Sequence, residues 1–280
     1  MMARRLLLIR GLRGPPVAAM VVLAAAVACL ALLASPATGT SYTPIASWDF
    51  NEGSGTTAAD QSGHGHTATL TSGATWGTGA SGGLGDSSLN LNGTSAYAAV
   101  PDSPELDLQH VSFRIEADVY LNAYDVNYSA VLAKRSQTQP WPGWMFLIGG
   151  TSAWNNPAVQ KHLTFTLNGG GYTVTAYGST DVPLNTWANI AVEFDDATNQ
   201  VRFFVNGVAD PAAYLTSDIT NGAGTALRIG SDTSTPGGSY FYNGRLDDAS
   251  IGVVPEPLTM AGLALGIGSL ATYLRRRRQA

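Results

Sequence analysis

From Val111 to Leu121 the chain alternates residue by residue. Val111, Phe113, Ile115, Ala117, Val119 and Leu121 are apolar, and Ser112, Arg114, Glu116, Asp118 and Tyr120 between them carry polar atoms. A period of two places all six apolar side chains on one side of a strand, whereas a helical period would scatter them around an axis. Such a strand belongs to a sheet with one dry face, and that face must be covered by a second layer.

The rest of the chain between residues 38 and 253 reads the same way. Short β-rich runs alternate with clusters of Gly, Ser, Thr, Asn and Asp, without an amphipathic helical period. Strands are expected at 47–50, 88–91, 97–100, 111–121, 130–134, 144–148, 162–167, 172–176, 188–194, 201–205, 227–229 and 245–251. Asn206-Gly207, after the run 201–205, supplies a hairpin turn that tolerates positive φ. A dozen such strands predict an all-β fold, a two-sheet antiparallel jelly-roll sandwich. Of the six tryptophans, Trp48 and Trp187 are expected in the core, and Trp144 opens an apolar run.

The two ends read as addresses. Four arginines in residues 1–16 precede an uncharged stretch, Val17 to Ala34, and Ser35-Pro36-Ala37 follows; this three-part pattern is that of a secretory signal helix over residues 1–37. At the other end Pro255-Glu256-Pro257 precedes the uncharged Leu258 to Leu274, and Arg275, Arg276, Arg277 and Arg278 close it. As a helix those 17 residues would span about 26 Å, enough for a thin bilayer, with the arginines held on the cytoplasmic side.

Composition narrows the partners. The terminal arginines hold 8 of the 15 basic residues, so residues 38–254 carry 7 Lys/Arg against 19 Asp/Glu, a net charge of −12. Binding to a phosphate backbone needs positive surface, and no nucleic-acid partner is expected. The only cysteine, Cys29, lies in the first apolar stretch, which leaves the body no disulfide and no thiolate site.

The order Pro-Glu-Pro, apolar span and basic cluster over residues 254–280 resembles the PEP-CTERM sorting signal. The resemblance implies an exosortase as partner, a membrane-embedded peptidase of Gram-negative bacteria. It would cleave near Pro255-Glu256-Pro257 and pass the protein from the inner membrane to the cell surface or extracellular matrix.

The body, residues 38–253, is similar to LamG-like, concanavalin A-like jelly rolls. Seven landmarks occur in order: Ser47-Trp48-Asp49-Phe50 with Asn51-Glu52-Gly53, the loop Asp60 to His66, Leu89-Asn90-Leu91-Asn92-Gly93, the Trp187 strand, the 201–207 hairpin, Leu227-Arg228-Ile229-Gly230, and Tyr242 to Asp248. This resemblance implies Ca2+ held by Asp60 and Asp247, with backbone oxygens near Gly63 and Gly65. The sequence departs from the family at His64 and His66, where Asn is usual, and imidazole favours softer metals.

Export and this fold lead to the expectation of a non-catalytic surface protein that binds polysaccharide or another surface glycan. Sugar rings stack on aromatic faces, so Trp141, Trp154 and Tyr240, in Gly/Asn-rich segments, are the expected ligand-binding residues. The alternatives are a structural matrix protein and a glycoside hydrolase of laminarinase type. Glu116 and Asp118 share one strand face, but Val119-Tyr120-Leu121-Asn122 follows where those enzymes place a second glutamate, so no catalytic residue is assigned.

Overall fold

The computed structural model describes residues 42–253, apart from 72, 137, 139–140, 170–171, 217–223 and 233–239. The expected signal (1–37) and sorting tail (254–280), with Pro255, Glu256, Pro257 and Arg275 to Arg278, lie outside the described residues.

The described residues form seventeen strands and two single turns of 3₁₀ helix. The strands β1 (Thr43–Trp48), β2 (Thr57–Ala58), β3 (Ala68–Thr71), β4 (Thr75–Thr78), β5 (Ser87–Asn92) and β6 (Tyr97–Val100) precede the first turn, Pro104–Asp107. Then come β7 (Phe113–Leu121), β8 (Tyr128–Arg135), β9 (Gly143–Gly149), the second turn Ala153–Asn155, β10 (His162–Gly169) and β11 (Tyr172–Asp181). The last six are β12 (Trp187–Asp195), β13 (Gln200–Val205), β14 (Val208–Ala209), β15 (Ala213–Tyr214), β16 (Leu227–Ile229) and β17 (Asn243–Val253).

They make two antiparallel sheets in a jelly-roll-like sandwich. The nine-stranded sheet runs β14-β13-β12-β7-β17-β5-β4, with β1 on β17 and β15 on β13. The eight-stranded sheet runs β11-β10-β9-β8-β16-β6-β3-β2. The alternation at 111–121 is realised along β7, where Phe113, Ile115, Ala117, Val119 and Leu121 are buried and the residues between them are half-exposed. Their inward side chains meet those of the opposite sheet, and the rings of Phe113, Phe165 and Phe194 pack together.

The strand β17 has two neighbours on the same side. Residues 243–246 pair with β5 and 249–253 pair with β1, and the ladder with β7 slips between Asp247 and Ser250, where the neighbour changes. The strand β1 begins earlier than expected, at Thr43. Pro44 has no N–H to give, which an outer strand tolerates, and a register shift between Pro44 and Ala46 absorbs it. At the hairpin between β13 and β14, Asn206 and Gly207 both adopt positive φ, 51° and 75°, as a tight two-residue turn requires.

Trp48 and Trp144 are fully buried, and each indole N–H finds a carbonyl, that of His66 at 2.8 Å and that of Leu106 at 3.0 Å. Trp187 is not in the core. In β12 the buried residues Ala188, Ile190, Val192 and Phe194 alternate with half-buried Trp187, Asn189 and Glu193, so the same period of two carries Trp187 to the outer face.

A candidate ligand-binding face

The sequence of β8, Tyr-Ser-Ala-Val-Leu-Ala-Lys-Arg, shows no clean alternation, because its ladder with β9 slips between Ala130 and Leu132. Tyr128 and Ala130 before the slip, and Ala133 after it, therefore lie on one side, while Val131 and Leu132 enter the core. The outer side is joined by Met145 and Leu147 of β9 and by Ala153 and Val159 from the segment that follows, a second apolar cluster outside the sandwich.

Tyr240 packs on this cluster. Its ring stands edge-on to Tyr128 at 5.1 Å, an arrangement that aromatic quadrupoles favour, and its carbonyl accepts the Ala130 N–H at 2.7 Å. Arg135, in the same strand, donates from Nη2 to Asp232 Oδ2 at 2.5 Å; the Asp232 side chain is buried and that of Arg135 partly so. Burial pushes the Tyr240 hydroxyl up; the Asp232 and Asp125 carboxylates add to this and Arg135 opposes it, which puts all three charges near that hydroxyl. Burial likewise raises Tyr128, with Tyr240 adding. Beside them Arg228 of β16 lies over the Tyr97 ring, 4.4 Å from its centroid. The face thus combines tyrosine rings and hydroxyls with an arginine–aspartate couple, groups suited to holding a polar ligand.

Of the residues expected to bind ligand, Tyr240 has its side chain on this face. Trp141, 38% exposed and at a φ of 55°, sits in the loop between β8 and β9, at the Arg135 end of β8. The Tyr240 ring packs on Tyr128, which opens that strand. Trp154 lies in the turn Ala153–Asn155, and its side chain is outside the described residues. Tyr128, Arg135 and Asp232 were not legible as site residues, since the slip in β8 hides which residues face out.

The residues expected to hold Ca2+ have other work. Asp60 Oδ1 accepts the N–H groups of Ser47 at 3.0 Å and Ser62 at 2.9 Å, and Oδ2 accepts the Ser62 hydroxyl and the His66 N–H, both at 2.9 Å. Four donors fill the lone pairs of one carboxylate. Burial opposes its ionisation, but the His66 and Ser62 donors outweigh it, with Ser47, and hold the carboxyl down at about 2. Gly63 and Gly65 take positive φ, 87° and 83°, which turns the loop. Asp247 is buried at the slip of β17, where Oδ2 accepts the Ala80 N–H and Oδ1 that of Asp248. The two aspartates thus take separate partners, and Asp60 keeps no lone pair for a cation. Among the described residues no group of three or more His, Cys, Asp or Glu side chains is placed to hold a metal ion. The donor set does not fit calcium between Asp60 and Asp247.

His64 and His66 share one carboxylate, His64 Nδ1 at 2.8 Å from Glu105 Oε1 and His66 Nε2 at 3.1 Å from Oε2. This ties the 60–66 loop to the first 3₁₀ turn. Glu116 is paired with Arg114 at 2.8 Å, and Arg114 also reaches Glu193 at 2.8 Å. Asp118 accepts the Asn189 amide at 2.8 Å.

Residues 92–253, more than half of the chain, match the sequence family of concanavalin A-like lectins and glucanases. The chain belongs to this superfamily. Solved structures of similar fold include domain 4 of a GH43 extracellular arabinanase from Geobacillus stearothermophilus, in complex with arabinotriose; it is 15% identical, with a TM-score of 0.55 over 76% of this chain and 95% of that one. The binding domain of Paraclostridial Mosquitocidal Protein 1 is 13% identical, with a TM-score of 0.55 over 75% of this chain. The binding domain of Botulinum neurotoxin DC, in complex with rat synaptotagmin II, is 13% identical, with a TM-score of 0.51 over 75%. The chain spans about half, 48%, of each toxin binding domain. At these identities the superfamily likeness is one of fold. No curated protein matches the chain.

Proposed function

We propose that this protein is an exported, non-catalytic surface or matrix protein that binds polysaccharide through the outer face of its eight-stranded sheet. The observation that carries the binding half is Tyr240 on Tyr128 beside the Arg135–Asp232 couple. Tyrosine edges and hydroxyls meet the C–H and O–H groups of a sugar, and the ion pair beside them both donates and accepts. The arabinanase domain, solved with arabinotriose, supports the reading at the level of fold. Trp141, exposed beyond the far end of β8, would extend such a site along a chain of sugars.

The sorting half rests on sequence. Residues 1–37 act as a signal peptide, 38–253 as the binding domain, and 254–280 as a PEP-CTERM signal read by an exosortase at Pro255-Glu256-Pro257. Before processing, the apolar span 258–274 holds the protein in the inner membrane.

Two measurements test these halves. Glycan-array binding by the full chain in detergent is expected to be reduced tenfold or more by Tyr240→Ala at unchanged melting temperature; an empty array, or a variant that binds as well as the wild type, rejects the binding site. Intact mass from hosts with and without an exosortase is expected to show loss of the tail beyond residue 257 only when the enzyme is present. Retention of 258–280 in both hosts makes the tail an ordinary anchor.

A further inference from the structure

The nine-stranded sheet has an outer face of its own, and one register row crosses five of its strands. Thr75 of β4 pairs with Asn90 of β5, Asn90 with Arg245 of β17, Arg245 with Tyr120 of β7, and Tyr120 with Trp187 of β12. Directly paired residues of antiparallel strands point to the same side. Their chain neighbours Leu89, Leu91, Leu246, Val119, Leu121 and Ala188 are buried, which puts the whole row outside. Four interstrand spacings make a line of about 19 Å.

The side chains of the row are organised. The Arg245 guanidinium lies 4.1 Å from the Tyr120 centroid and 5.1 Å from that of Trp187, and the two rings meet edge-on at 5.7 Å. Arg245 Nη1 donates to the Thr78 carbonyl at 2.9 Å, and the Asn90 amide donates to Thr75 Oγ1 at 3.0 Å. On one side of the aromatic segment the Asn189 amide donates to Asp118 at 2.8 Å; on the other, exposed, the Asn122 amide donates to Asn243 Oδ1 at 3.1 Å. An aromatic–guanidinium ridge therefore runs between two pairs of polar groups that donate and accept.

We infer that this row is a second binding site, for an uncharged polysaccharide chain laid across the strands. Flat π surfaces take the C–H faces of sugars, and the flanking amides and carboxylate take hydroxyls from both sides. The line is an open track rather than a closed cavity, so it fits several residues of a chain. Charge selects the class. The row holds a single cation within a body of net charge −12, so an anionic polymer would be repelled and an uncharged one would not. The row lies on the opposite side of the sandwich from Tyr240. If both sites act, one molecule bridges two polysaccharide chains, and this last step rests on the function proposed above.

The test uses the full chain in detergent, with soluble arabinan and laminarin as uncharged probes and alginate as the anionic one. Affinity electrophoresis is expected to show tenfold or weaker retardation for Trp187→Ala and Arg245→Ala, an intermediate value for Trp187→Phe, and no retardation by alginate. Light scattering is expected to show polymer bridging by the wild type, and binding without bridging by Tyr240→Ala or Trp187→Ala. Unchanged retardation and bridging in folded Trp187→Ala and Arg245→Ala overturn the row and leave the first face standing. Loss of binding in Trp187→Ala but not in Tyr240→Ala keeps the row and rejects the first face. Absence of retardation in the wild type, binding of alginate lost in Arg245→Ala, or a dimer lost in Trp187→Ala each overturns the assignment.

Discussion

The ammonium of Lys134 is completely buried against the carboxylate of Asp107, and a second carboxylate, Asp102, lies 2.7 Å from it. Both aspartates flank or end the first 3₁₀ turn, whose Leu106 carbonyl also receives the Trp144 indole N–H at 3.0 Å. The ion pair therefore pins the segment that leads into β7 against the inner side of β8. Lys134→Met strands a buried carboxylate, and a loss of about 3 to 5 kcal/mol is expected in urea unfolding. The double variant Lys134→Met, Asp107→Leu is expected to recover most of that loss, since neither charge is then left alone.

Asp210 closes the sandwich at the β11 edge. Oδ2 accepts the N–H groups of Ser179 at 2.8 Å and Thr180 at 3.2 Å, and Oδ1 accepts the hydroxyls of Ser179 at 3.1 Å and Thr180 at 2.5 Å. Because Asp210 follows β14 of the other sheet, these bonds join the two layers. Asp210→Ala is expected to destabilise the protein by about 3 kcal/mol, measured as a lower urea midpoint. Burial raises this carboxyl, but the Thr180 hydroxyl and the backbone donors outweigh it and hold it low. Its contribution is therefore present at neutral pH and lost as pH falls through the folded value; the gap between wild type and variant narrows in acid.

Asp247 works in the opposite direction. Burial, with Asp248 and Asp86 adding charge, pushes its carboxyl up to about 7 against the hydrogen bonds from Ala80 and Asp248. A raised folded value means that the folded state holds the proton more tightly. Its stabilising share is complete below about 4 and is lost as pH rises to about 7. Asp247→Asn is expected to remove this part of the pH dependence and to raise the melting temperature at pH 8 relative to the wild type. A variant that melts lower at pH 8 contradicts the assignment.

Asp60→Asn removes a carboxylate that accepts three hydrogen bonds from its own loop and one from Ser47 of β1. The melting temperature is expected to fall, and by the same amount in EDTA and in millimolar Ca2+. A fall confined to the calcium samples would show that Asp60 stabilises the fold through the cation after all.

Much of the fold was legible because its cause is local. The alternation along 111–121 names both faces of β7, and Asn206-Gly207 marks a turn that needs positive φ at two positions. Trp187 could have been placed by the same rule, since it is in phase with Asn189 and Glu193 rather than with Ile190 and Val192. The face around Tyr128 was hidden for a different reason. One slip in β8, between Ala130 and Leu132, reverses which side each later residue takes, and nothing in the run Ser-Ala-Val-Leu-Ala announces it.

The sequence by itself determined that this chain is a two-layer β-sandwich, because period-two patterning and turn residues act over a few positions; its likeness to concanavalin A-like jelly rolls rested instead on seven landmarks in order. Only the tertiary structure decided which residues meet. Asn90 reaches Arg245 and Lys134 reaches Asp102 and Asp107 because strands far apart in the chain lie side by side in one register or across one core. That register is set jointly by the packing of both sheets and by the slips in β8 and β17, and no short stretch of residues encodes it.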